Sequence, residues 1–302
     1  MSNFLLIGLC ILVGYLLQRS KKLPADSFKA VNAWIINLAL PAVSFKFLPH
    51  IQWERSLLLP ILMPVIVWVA AWIYIVVYAG NKLDKPTKAG LLLTTGLSNT
   101  SFVGFPLVIA YFSSAELSIA VICDQVSFLL LATIGVIIAL RVSGEESISA
   151  AMLIKRIISF PPFVACVLSL ILPHFVDLSF LEPLFDIVAA TIAPLALFSI
   201  GLQIKFEGWK NEIKHIRFAL FFKLFIAPAI IFAVAWFARM KDMHAQISIF
   251  ESAMPPFLTS GIIASQYNLN PRLSNLIIGI GIAISFVTTA FWFWLIQLYV
   301  AS

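Results

Sequence analysis

Ten stretches of this 302-residue chain are apolar for long enough to cross a bilayer, and only short polar connections separate them. A spanning helix needs about 20 mainly apolar residues. The stretches run Asn3–Gln18, Phe28–Phe47, Leu57–Gly80, Ala89–Phe112, Leu117–Leu140, Ile157–Phe175, Leu184–Ile204, Phe218–Phe237, Ile247–Ala264 and Leu273–Val300. Hydrophobic residues make up 61% of the chain and charged residues 11%, against roughly half and roughly a quarter in an average soluble domain. No soluble core absorbs that excess, so the expected fold class is all-α integral membrane with ten transmembrane helices. The first stretch lacks a basic n-region and a small-residue cleavage site, and Arg19, Lys21 and Lys22 follow it. It therefore reads as a retained helix and not a signal peptide.

The formal charge of +6 does not mark a nucleic-acid binder, because Lys and Arg sit in short runs between apolar stretches and form no basic face. Their placement instead gives orientation, since cytoplasmic loops retain positive residues. With the N-terminus outside, most of the 20 Lys and Arg residues fall inside, Lys82 and Lys205 among them. Only Lys46, Arg55, Arg239 and Lys241 fall outside, and Lys223 lies within a span. Both termini are thus expected on the extracytoplasmic side of a cell inner membrane. Cys10, Cys123 and Cys166 lie in apolar stretches without CxxC spacing, and His50, His174, His215 and His244 form no HxxxH or HExxH arrangement. Neither set supports a metal site, and no cofactor is expected.

Divided five and five, the helices of residues 1–144 begin outside and those of 145–302 begin inside, the geometry of an inverted-topology repeat. A weak internal register agrees: an offset of 153 carries Pro41 onto Pro194 and Phe102 onto Pro255.

The fourth and ninth stretches are polar and broken at mid-depth. The fourth holds Gly96, Ser98, Asn99, Thr100, Ser101, Phe102, Gly104 and Pro106; the ninth holds Glu251, Ser252, Pro255, Pro256, Thr259, Ser260 and Gly261. Proline lacks a donor and clashes with the preceding turn, and glycine weakens a helix, so both stretches should unwind there. Unwound backbone at bilayer depth survives only where protein or a water-filled cavity satisfies it. A pair of packing kinks would satisfy the same pattern, but two interruptions in corresponding positions mark midplane binding sites in transporters. The half-helix N-termini so created offer unpaired N–H groups to a carboxylate. Asn99, Thr100, Ser101, Thr259 and Ser260 would add neutral hydrogen-bonding groups around it.

Asp124, Lys223 and Glu251 lie deep in apolar helices. Each costs roughly 2.5 to 3.5 kcal/mol facing lipid, so each is expected to face the interior with a partner or neutral. Lys223 paired with one carboxylate would merely lock helices together. Glu251, directly in the broken segment, is a candidate carrier of a coupling proton.

The stretch Asn99-Thr100-Ser101-Phe102-Val103-Gly104-Phe105-Pro106-Leu107 resembles the N-x-x-F-x-G-x-P motif of the auxin efflux carrier family. Weaker likenesses run along nearly the whole chain: Gly14 to Leu17 with Arg19, Leu40-Pro41-Ala42, Asp124, Pro161-Pro162, Pro194 to Phe198, and Glu251 to Pro255. The resemblance implies a scaffold from helices one, two, six and seven, and a transport unit in which broken helices four and nine cross near the substrate. It also implies elevator-like movement and a homodimer formed through the scaffold. Asn99 matches the family's substrate-contacting Asn, whereas Pro255-Pro256 has no matching Asn beside it. That departure from the plant carriers, with the short connection Arg141 to Arg156, turns the expected substrate from an auxin-like acid toward malate, malonate and similar small carboxylates.

The leading expectation is a secondary transporter of a small organic anion, coupled to a proton or to sodium. A cation antiporter of similar fold is the nearest alternative, though no adjacent acidic pair stands at Asp124. A membrane sensor is the alternative of another class, with an intramembrane enzyme behind it: an aspartyl protease needs two aspartates sharing a proton and only Asp124 is deep, and no GxSxG accompanies a His.

Overall fold

A computed structural model describes residues 2–51, 53–80, 83–144, 149–203 and 209–301. Lys82, Lys205, Ile204 at the end of the seventh expected span, and Ser302 lie outside the described residues. Within them the chain is all-helical, with no β-strand and one isolated bridge, Ser98 with Pro256. In chain order the helices are α1 (Ser2–Arg19), α2 (Phe28–His50), α3 (Arg55–Ala79), α4 (Lys85–Gly96), α5 (Thr100–Tyr111) and α6 (Ser114–Ser143). There follow α7 (Ala150–Ile158), α8 (Pro161–His174), α9 (Ser179–Gln203), α10 (Ile213–Phe237), α11 (Met243–Ser252), α12 (Leu258–Gln266) and α13 (Pro271–Ala301).

Six of these, α2, α3, α6, α9, α10 and α13, are long and apolar enough to cross a membrane. The pair α7 and α8, bent by 72°, makes a seventh if taken as one span. The remaining expected spans are represented by shorter helices: α1, the α4 and α5 pair, and the α11 and α12 pair.

Proline shapes several of these helices in one recurring way. A single wide turn closed by i→i+5 bonds precedes Pro41 (Ile35–Ala39), Pro106 (Thr100–Gly104) and Pro228 (Phe222–Ile226). In each case the residue four before the proline sits at the centre of the wide turn. The ring would clash with that residue's carbonyl and cannot donate to it, so the helix widens locally and continues. Pro64 lies inside α3 without such a turn. Freed carbonyls find other donors: Leu224 O, the lost partner of residue 228, accepts the Trp292 indole N–H at 2.8 Å.

The chain divides into two compact units, each drawing on both halves of the sequence. The first comprises residues 1–54, 101–121 and 154–204. Here α1 lies along α9, α2 packs on α8 and α9, and the latter part of α5 packs on α1 and α9. Gly14 and Gly201 allow the α1–α9 approach, because a Cβ on either would sit 3.1 Å from the other's Cα. Phe45 stacks on Phe185 at 5.2 Å, beside an ion pair of Lys46 with Asp186 at 2.6 Å. The Trp34 indole donates to Thr191 Oγ1 at 3.0 Å.

The second unit comprises residues 55–100, 122–153 and 205–302. In it α4 packs on α3, α12 and α13, while α11 packs on α3, α10 and α13. Two of its short helices have acidic caps at their N-termini. Asp84 accepts the Thr87 N–H at 3.2 Å to start α4, and Asp242 accepts the Ala245 N–H at 3.0 Å to start α11. Each satisfies a donor that a helix start leaves open.

Candidate functional site

The interruptions after α4 and α11 meet inside the second unit. α4 stops at Gly96 because Leu97 turns to extended backbone, φ −121° and ψ 138°. α11 stops at Ser252 because Pro255 and Pro256 have no N–H for the carbonyls four residues earlier. Between the breaks the two chains run antiparallel. Asn99 N–H donates to Pro255 O at 2.8 Å, Phe257 N–H donates to Leu97 O at 3.1 Å, and Ser98 pairs with Pro256 between them. The Pro-Pro step suits this pairing, which asks residues 255 and 256 for no donor. Gly281 of α13 leaves room for it, since a Cβ there would lie 2.7 Å from Pro256 Cδ.

This crossing gathers four helix ends. The C-terminal ends of α4 and α11 lie before the bridge, and α5 and α12 begin just beyond it, at Thr100 and Leu258. Helix C-termini carry partial negative charge and N-termini partial positive charge, about half an elementary charge each. Buried ionisable groups stand on both sides. Lys223, carried on the wide turn of α10, donates from Nζ to Ser98 Oγ at 2.6 Å and to Ser252 O at 3.1 Å. Ser252 O is the carbonyl that Pro256 leaves without its helical donor. At the start of α5, Thr100 Oγ1 donates to Asp124 Oδ1 at 2.6 Å, and Gln125 Nε2 lies 3.4 Å from Asp124 Oδ2.

Among the expected site residues, the structure thus brings Asn99, Thr100, Pro255 and Pro256 together in the crossing, with Asp124 and Lys223 against it. Asn99 and Thr100 are fully buried, and Ser260 is buried with its hydroxyl donating to Phe257 O at 2.6 Å. Thr259 is half-buried. Ser101, Phe102 and Gly104 continue along the wide turn of α5 to Pro106, all buried. Glu251 is fully buried, feels the charges of Asp124 and Lys223, and neither of its carboxylate oxygens has a hydrogen-bond partner among the described residues. Lys223 forms no ion pair with it, and meets Ser98 and Ser252 instead. Those two serines stand in the broken stretches but were not among the residues singled out from sequence. The signal that could have found them is a hydroxyl or carbonyl at a helix break in a chain that also buries a lysine.

Two other features bear on the chemistry. A cavity of about 630 Å³ in the first unit is lined by Lys46, His50, Asp177, Glu182 and Asp186 with two serines and apolar neighbours, all of that unit. It holds none of the crossing residues, so we place the candidate site at the crossing on its chemistry and not on cavity size. Among the described residues no group of three or more His, Cys, Asp or Glu side chains could hold a metal ion.

Residues 1–293 match the family described as Membrane transport protein. An uncharacterized transporter of Methanocaldococcus jannaschii is 24% identical over 98% of both chains. The uncharacterized transporter YfdV of Escherichia coli is likewise 24% identical over 98% of both. A protein of Rhizobium meliloti whose name marks it as a candidate malonate transporter is 23% identical over 86% of this chain and 84% of its own.

Proposed function

Because the chain belongs to the membrane transport protein family, that of the auxin efflux carriers, and is a multi-pass membrane transporter and not an enzyme, we propose that it carries a small organic anion of the malate or malonate class. The observation that carries this reading is the crossing, where α5 and α12 begin at the two ends of the Ser98–Pro256 bridge, at Thr100 and Leu258. Each of these helix N-termini offers backbone N–H groups and positive partial charge to a carboxylate, and Asn99, Thr100, Thr259 and Ser260 supply neutral donors around them. Ser101, Phe102, Gly104, Pro106, Pro255 and Pro256 hold that backbone in its interrupted form. The name of the Rhizobium meliloti relative supports the choice of a small dicarboxylate.

Buried as they are, Asn99 and Thr100 must become accessible for substrate to bind, and we propose that this happens by elevator-type alternating access, moving the unit that carries the crossing. Ten membrane crossings follow if α1, the two interrupted pairs and the bent α7–α8 pair each count as one, with residues 1–144 and 145–302 as inverted repeats. The basic-residue distribution supports both termini outside a cell inner membrane. Coupling to a proton at Glu251, or to sodium, and a homodimeric assembly complete the proposal.

Uptake of radiolabelled malate and malonate into liposomes containing the purified protein tests this. Asn99→Ala should lower apparent affinity by roughly ten- to a hundredfold, since a hydrogen bond to a charged group is worth about 1.5 to 3 kcal/mol. No uptake of either acid, with saturable binding of radiolabelled sodium instead, would favour a cation antiporter.

A further inference from the structure

We propose that the ammonium of Lys223 is a tethered cation occupying a cation site at the helix crossing, so that the crossing needs no free alkali cation for its integrity. The proposal concerns the cation side of the crossing and does not depend on the identity of the transported anion.

The site is built from oxygens. Ser98 Oγ, two residues beyond the end of α4 at Gly96, lies 2.6 Å from Lys223 Nζ, and the carbonyl oxygen of Ser252, the last residue of α11, lies 3.1 Å from it. Each interrupted helix therefore contributes one ligand. The carbonyl is available only because Pro256 cannot donate to it, so the same proline that breaks α11 creates half of the site. The carboxylate of Glu251, fully buried and without a hydrogen-bond partner among the described residues, interacts with the Lys223 charge through space. A hydroxyl, a backbone carbonyl and a nearby carboxylate are the oxygen donors a hard metal cation takes. An ammonium, with three donors and no acceptor, takes the same ones.

The electrostatics call for one positive charge at this place. The C-terminal end of α11 lies there with its free Ser252 carbonyl, worth about half a negative elementary charge. Lys223, Ser252 and Glu251 are all fully buried, so charges there are poorly screened. A lysine supplies the charge on a covalent stem and loses no translational freedom in doing so. A free ion would have to be bound anew and held. The chain reaches the site from α10, whose wide turn at Phe222–Ile226 brings Lys223 inward without ending the helix.

Removing the ammonium while keeping the oxygens should expose a vacancy that small cations refill. Wild-type protein and Lys223→Ala are compared in detergent by melting temperature, in N-methylglucamine chloride, sodium chloride and methylammonium chloride at equal ionic strength. Wild type should melt at the same temperature in all three. Lys223→Ala should melt lower in N-methylglucamine, which is too bulky to enter, and recover in a saturable way with sodium or methylammonium, because a ligand of the folded state raises apparent stability. A variant indifferent to all three salts would overturn the proposal, and so would saturable stabilisation of wild type by sodium that Ser98→Ala abolishes. Should Lys223→Ala not purify folded, Lys223→Ser, which leaves the same vacancy, takes its place. If neither does, equilibrium binding of radiolabelled sodium to wild type decides: none is expected, and saturable binding abolished by Ser98→Ala would refute the tethered cation. No readout here uses the substrate, so a wrong choice of anion and a wrong assignment of Lys223 give different results.

Discussion

Gly14 of α1 and Gly201 of α9 face each other without a side chain between them, and a Cβ placed on either glycine would lie 3.1 Å from the Cα of the other. Their nearest neighbours are backbone atoms, Phe198 O for Gly14 and Ile11 O for Gly201, and backbone does not yield as a flexible side chain does. Small residues at such contacts let membrane helices approach closely. Gly14→Ala and Gly201→Ala should each destabilise by about 1 to 3 kcal/mol, the usual cost of overpacking. Gly8→Ala, where a Cβ meets nothing within 4 Å, is the control and should leave the melting temperature unchanged or slightly higher. Equal behaviour of all three variants would contradict the packing.

Trp292 is buried and its indole N–H holds the Leu224 carbonyl that Pro228 leaves without a donor. Trp292→Phe keeps most of the ring volume and removes the donor. The variant should lose about 1 to 3 kcal/mol, the cost of one buried unsatisfied polar group. Adding Pro228→Ala, which restores a helical donor, should recover part of that loss. A double mutant no better than the single one would show that the carbonyl is not the cause.

Asp84 stands outside the spans and caps α4. Its hydrogen bonds with Thr87, the side-chain bond foremost, hold the carboxyl below its ordinary value against a smaller opposing effect of burial. With the folded value below the unfolded one, the stabilisation is complete above the unfolded value and is lost as pH falls through the folded value. Asp84→Ala should cost about 0.5 to 2 kcal/mol near neutrality, and Asp84→Asn much less, since both Asp and Asn cap well. Melting temperature followed from neutral pH into the acid range should fall less steeply for Asp84→Asn than for wild type; parallel curves would remove Asp84 from the acid response.

Glu251 is fully buried, makes no ion pair with Lys223, and has no hydrogen-bond partner among the described residues on either carboxylate oxygen. Glu251→Gln removes a through-space attraction to Lys223 but no direct ion pair or hydrogen bond, so it should destabilise only modestly. The loss of about 3 to 5 kcal/mol expected when a buried pair is broken should not occur. If Glu251 carries the coupling proton, the pH dependence of liposome uptake should flatten while substrate binding survives. A stable variant with an unaltered pH profile would exclude the coupling role.

Much of this protein was legible in its sequence because the controlling physics is local. Apolar run length decides whether a segment can span a bilayer, which is why α2, α3, α6, α9, α10 and α13 emerge close to where composition places them. The breaks at Gly96 to Asn99 and at Pro255-Pro256 follow from residues that weaken or cannot continue a helix wherever they stand. The family follows from a motif read along one stretch of chain, and from residues 1–293 as a whole. Tertiary structure alone decided which broken segment meets which: nothing in the chain near Ser98 specifies pairing with Pro256, more than 150 residues away. It also decided the partner of Lys223. Charge counting points a buried lysine toward Glu251 or Asp124, yet the ammonium goes to Ser98 and to the Ser252 carbonyl. That carbonyl is invisible to residue-type reasoning, because its availability arises when Pro256 withholds a donor and the crossing brings α10 within reach.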